Sequence, residues 1–146
     1  MREMLLAFIG SLCAGILFNV KSKNLIWTGL SGALGWVSYI LMNRATGGVI
    51  VATFIGAVAV GLFSESAARI VKSPATVFSI PGIFPLVPGI GAYTTVQYIF
   101  ENRLSDAART AVETIASAAA IAFGIMIVYA VFRILTRPGE KSKKRY

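Results

Sequence analysis

Histidine is absent from the 146 residues, cysteine occurs once and acidic residues number only six. Without imidazole, no side chain with an ordinary pKa near neutrality is available as a base, proton relay or metal ligand. The single thiol, Cys13, excludes an internal disulfide and a cysteine-cluster metal site. Charge of either sign is scarce, at 14% against about 25% in ordinary soluble domains. No Ser/His/Asp group and no phosphate-binding loop can be assembled. Gly89-Ile90-Gly91 supplies Gly-x-Gly but lacks the strand and the third glycine of a dinucleotide fingerprint. Neither an enzyme nor a cofactor is expected.

What fills the sequence instead is apolar, at 56% of residues with a positive mean hydropathy. A chain this short cannot hide so much apolar surface in a soluble core, so an all-α integral membrane protein is expected. About 20 apolar residues cross the ~30 Å hydrocarbon layer as a helix. Candidate spans run over residues 4–20, 25–42, 47–63, 74–100 and 111–135, about five in all. They form one transmembrane unit, residues 1–135, followed by a basic tail, 136–146. The first run is longer than a signal-peptide core of ~7–15 residues. "SLCAG" resembles a lipoprotein cleavage box, yet Ile16, Leu17 and Phe18 continue the apolar run, so Cys13 is read as a small buried hydrophobe.

A net charge of +8 in a soluble protein would suggest nucleic acid; here the cations flank apolar runs, which suits membrane topology and lipid instead. With five crossings, four of the 14 cations (Arg2, Arg44, Arg103, Arg109) fall on one side and ten on the other. That asymmetry places the N-terminus outside and the C-terminus in the cytoplasm of a cell membrane. Lys143, Lys144 and Arg145 are expected to touch anionic lipid. Trp27, Trp36 and Tyr39 anchor or pack within the second span, and Asn19 either caps the first helix or faces a pore. Small residues recur four apart at Ser31/Gly35, Ala52/Gly56, Ala57/Gly61 and Ala116/Ala120/Gly124. Such stripes let helices approach closely; packing within the chain and docking on a partner or second copy stay equally open.

One segment opposes the helix its setting demands. "IPGIFPLVPGIGAY", residues 80–93, carries Pro81, Pro85 and Pro88 with Gly82, Gly89 and Gly91. Each proline removes an amide hydrogen, which would orphan the carbonyls of Val77, Pro81 and Phe84. Backbone broken inside hydrocarbon must be buried in protein or line a watery cavity. The fourth span is therefore expected to be discontinuous, two half-helices whose free amides attract anions and whose freed carbonyls attract cations. Pro81, Pro85, Pro88, Gly89, Gly91, Tyr93 and Thr94 are the candidate substrate path. Glu65 and Arg69 are spaced as a helix surface pair. Glu113, where the fifth span begins, is the first candidate for proton coupling and Glu65 the second.

"SPATVFSIPGIFPLVPGIGAY", Ser73–Tyr93, resembles the signature of threonine/serine exporter (ThrE-like) proteins of the small-subunit type. "AGILFNV", Ala14–Val20, and "SESAARIVKSP", Ser64–Pro74, follow that family's order and spacing. The resemblance implies gradient-driven export of threonine and serine, or of a dicarboxylate such as succinate. It maps the family motif onto Pro81, Pro85, Pro88, Gly89 and Tyr93. The match is to the family's second membrane half, which implies a larger membrane subunit as partner. A non-transporting assembly or scaffold subunit is the alternative expectation.

Overall fold

The computed structural model describes residues 2–135; the basic tail and its lipid contacts lie outside these. Among the described residues there is no strand. The helices are α1 (Arg2–Leu17), α2 (Ser22–Thr46), α3 (Val49–Val71), α4 (Thr76–Ile83), a 3-10 turn (Phe84–Leu86), α5 (Gly89–Phe100) and α6 (Leu104–Leu135). Three of them, α2, α3 and α6, are long and apolar enough to cross a membrane singly. Residues Thr76–Leu86 and Gly89–Phe100 together form a fourth apolar unit, bent by 47°. The all-α membrane class and the discontinuity of the fourth span are thus as expected.

The first span is shorter than expected. α1 has 16 residues, which at 1.5 Å per residue reaches about 24 Å. It stops because Asn19 takes a left-handed φ of 56°. There its N–H donates to the Ile16 carbonyl and that of Val20 to Gly15, both at 2.9 Å, a Schellman closure. Asn19 therefore caps α1 through its backbone. Asn102 ends α5 in the same way, at φ 55°.

Helix directions follow from which residues touch. Asn24 Nδ2 donates to Ser73 Oγ at 3.1 Å, and Ser31 and Ser64 share a hydrogen bond at 3.3 Å, so α2 and α3 are antiparallel. They cross backbone to backbone, since a Cβ at Gly56 would lie 3.0 Å from the Gly35 carbonyl oxygen. Between α3 and α6, Ala57 meets Gly124 and Gly61 meets Val128. One turn forward on α3 is one turn forward on α6, so these two run parallel. The end of α3 and the start of α6 consequently lie at opposite faces, and residues 72–103 cross back between them. The bent pair is a crossing, not a loop that dips in and returns.

These directions bring Lys21, Lys23, Arg69, Lys72 and Arg133 to one end, called here the lysine end. Arg2, Arg44, Arg103 and Arg109 gather at the other. The interior centres on Ala57, Val60, Leu86 and Ile121, with Trp36, Tyr39, Ile83 and Ile125 against it. The small-residue stripes are buried in this packing, with Ala116 only partly covered. Close approach within the chain accounts for them. Trp27 is half-buried, its ring 6.0 Å from that of Phe63 on α3. Cys13 departs from expectation: it is exposed, because Ala14 and Gly15 take the face of α1 that meets α2.

Candidate functional site

Pro81 does not interrupt the fourth span. It lies buried inside α4, beside Gly82, where an added Cβ would collide with Ser31 Oγ on α2. Packing against α2 and α3 carries the helix through one missing hydrogen bond. The break comes a turn later. Phe84 N–H donates to the Pro81 carbonyl, closing the 3-10 turn. Val87, preceding a proline, is forced extended at φ −61° and ψ 126°. Its N–H reaches Phe84 O at 3.3 Å, and Gly89 N–H turns back to Val87 O at 2.7 Å. α5 then begins, its first helical bond being Ala92 N–H to Pro88 O at 3.1 Å.

The expected orphans are therefore partly reassigned: the Pro81 and Phe84 carbonyls find other donors. Pro88 has no amide hydrogen and Val87 is extended, so the first-turn amides of α5 at Ile90 and Gly91 and the carbonyls of Pro85 and Leu86 lie where the helical ladder is interrupted, the place at which helix ends leave backbone groups short of intrahelical partners. All four belong to residues lining one cavity of about 210 Å³. Its other walls are Trp36 and Tyr39 on α2, Thr53 on α3 and Ser117 on α6. Trp36 stacks on Tyr39 at 5.0 Å, and its indole Nε1 is buried with no acceptor. Thr53 donates to Val49 O and Ser117 to Glu113 O, which leaves their oxygen lone pairs for a guest. No Lys, Arg, Asp or Glu lines the cavity. It offers separated donors and acceptors in a volume below the ~300–1,000 Å³ of drug-sized pockets.

Of the candidate path, Pro85, Pro88, Gly89 and Gly91 meet at this cavity. Pro81, Tyr93 and Thr94 do not line it. Tyr93 is 70% exposed on the outer face of α5, and the Thr94 hydroxyl donates to its own helix at Ile90 O. Sequence reasoning missed Thr53 and Ser117 as walls. It read Trp36 and Tyr39 as residues that anchor or pack within the second span, although their i, i+3 spacing on one face was the available signal.

A second, apolar cleft of about 520 Å³ begins at the same break, at Val87 and Pro88, and runs between Ile83 and α6 to Tyr129. At that end Ser79 Oγ and Tyr129 OH share a hydrogen bond at 2.6 Å. The acids sort themselves by position. Glu113 is exposed and accepts a hydrogen bond from Arg109 Nε at 3.3 Å, an i, i+4 surface pair. The expected Glu65–Arg69 pair does not form, because Arg69 lies 4.9 Å over the Phe132 ring instead. Glu65 is half-buried and has no ion-pair partner among the described residues. In the turn between α5 and α6, Arg103 binds Asp106 at 2.7 Å. That hydrogen bond, with the neighbouring negative charge, raises the Arg103 pKa above its usual value.

Residues 3–131 match the family model described as Threonine/Serine exporter, ThrE. The chain belongs to the threonine/serine exporter family. No solved structure matches it. As a member of that exporter family with several membrane-length helices, it is a multi-pass membrane protein of transporter type. The broken span of this exporter-family chain coincides with the stretch richest in proline and glycine, and the cavity is built on it.

Proposed function

We propose that the chain is one subunit of a secondary exporter of small polar amino acids, threonine or serine. The solute would bind at the break in the fourth span, with access alternating between the two membrane faces. The observation that carries this reading is the set of helix-end backbone groups gathered at the break on one small cavity. The Ile90 and Gly91 amides, at the positive end of α5, suit a carboxylate. The Pro85 and Leu86 carbonyls suit an ammonium group, and Trp36 stacked on Tyr39 forms an aromatic wall. With no cationic side chain on the walls, a zwitterion fits better than a dicarboxylate such as succinate.

The orientation that goes with this reading keeps the lysine end in the cytoplasm of a cell membrane, with the N-terminus outside. α5 buries none of its own residues and leans chiefly on α6. That open side leaves room for the larger membrane subunit that we propose completes the exporter. The basic tail, residues 136–146, would rest on anionic lipid. A scaffold role built on the small-residue stripes has lost its support, because α2, α3 and α6 occupy those stripes themselves.

Efflux of labelled threonine, serine and succinate from cells, with and without the larger subunit, tests the proposal. Threonine or serine efflux that requires both subunits is the expected result, and efflux of neither in any combination would sink it. Coupling is assigned to Glu65, half-buried and without an ion-pair partner among the described residues, in preference to surface-paired Glu113. Glu65→Gln is expected to lose the dependence of export on the proton gradient, whereas Glu113→Gln keeps it. The reverse pattern would return the role to Glu113.

A further inference from the structure

The two halves of the broken span rest on different parts of the molecule. α4 and the 3-10 turn lie against α1, α2 and α3, whereas α5 lies against α6. The fold thus divides into a body of α1–α4 and a hairpin of α5 and α6, joined at the break and along the α3–α6 packing. Among the described residues one side-chain hydrogen bond links hairpin to body, and it is Ser79 to Tyr129. Ser79 is 4% exposed, on the same short helix as the break and one turn before Ile83, which begins the cleft wall. The cleft that starts at Pro88 ends at the Tyr129 ring.

We propose that the Ser79–Tyr129 hydrogen bond is the latch that closes the path at the lysine end, holding α4 against α6 beneath the break. When the two hydroxyls part, α4 and α6 have only cleft between them at this level, so the cleft opens toward the lysine end and up to Pro88. Both side chains are positioning residues: neither reaches the cavity at Ile90 and Gly91. Position in the fold explains why this contact can act as a switch. It is a single neutral bond at the thin end of a wedge, while the α3–α6 seam beside it is close-packed. The latch's role in transport rests on the exporter reading above, but its existence does not.

The test uses Ile121→Cys, buried on the cleft wall, in a Cys13→Ala background, with a membrane-impermeant maleimide applied from the lysine end. Tyr129→Phe removes only the hydroxyl and keeps the ring. It is expected to raise the labelling rate roughly fivefold, the population shift that one lost neutral hydrogen bond gives. Ser79→Ala should do the same, and the double variant should add nothing further, since both remove one interaction. Export should become leakier to the gradient in each. Unchanged labelling in Tyr129→Phe and Ser79→Ala, or strictly additive effects, would overturn the latch. Raised labelling in a chain that exports no threonine, serine or succinate would keep the latch and remove the exporter reading instead.

Discussion

Replacing Pro85 and Pro88 together by alanine is expected to abolish export while the protein still inserts into the membrane. Alanine at each position returns an amide hydrogen, and a helix gains about 3 kcal/mol for each proline removed. The new amides can bond the Pro81 and Phe84 carbonyls, so α4 propagates through Val87 into α5 and the 47° bend straightens. In the continuous helix the Ile90 and Gly91 amides pair with the Leu86 and Val87 carbonyls. The four groups facing the cavity are then consumed by the helix itself. Two donors and two acceptors at about 1–1.5 kcal/mol each suggest a loss on the order of a thousandfold or more in flux. Labelled-threonine efflux, normalised to the amount of inserted protein, reads this out. Normal flux in the double variant would place the solute elsewhere.

The second large effect is on the fold. Gly56→Leu is expected to unfold the α2–α3 crossing. A Cβ there lies 3.0 Å from the Gly35 carbonyl oxygen and 3.1 Å from Leu86 Cδ2, and a backbone oxygen cannot rotate away. The helices must separate, which exposes the Ser31–Ser64 pair and loosens Leu86, the one residue of the 3-10 turn that is buried. Overpacking costs typically ~1–3 kcal/mol, and the upper end applies where the neighbour is backbone. Against a total stability of about 5–15 kcal/mol, that is a large share. Thermal unfolding in detergent should show a marked drop for Gly56→Leu. At Gly10, where an added Cβ meets nothing within 4 Å, Gly10→Leu should change little. Equal behaviour of the two variants would contradict the crossing.

Much of this architecture was legible because membrane constraints are local. A run of apolar residues long enough to span says helix without any tertiary knowledge, and small residues four apart say close packing. The prolines said that the fourth span breaks. They did not say where, since that depends on neighbours: Gly82 wedged at Ser31 carries the helix past Pro81, while nothing carries it past Pro85. The walls of the cavity were hidden for the same reason. Trp36, Thr53 and Ser117 converge only because α3 meets α2 antiparallel and α6 in parallel, a register set by glycine contacts far apart in sequence. The acids show the limit most plainly. Glu113 looked deep by its place in an apolar run, yet it faces outward to Arg109. Glu65 looked like half of a surface pair, yet Arg69 turned to Phe132 and left it without an ion-pair partner among the described residues. The short first helix was decided by one residue, Asn19, whose tolerance of positive φ ends it before Val20.

The central claim is that the solute meets the exposed backbone between Pro85 and Gly91. It is tested most directly by placing a thiol there. An added Cβ at Gly89 meets nothing within 4 Å, so Gly89→Cys in a Cys13→Ala background leaves the cavity open. In membranes holding both subunits, a water-soluble maleimide should label this position, and threonine or serine should slow the labelling in a concentration-dependent way. A thiol that never labels from water, or one that labels at the same rate with threonine or serine present, would contradict it.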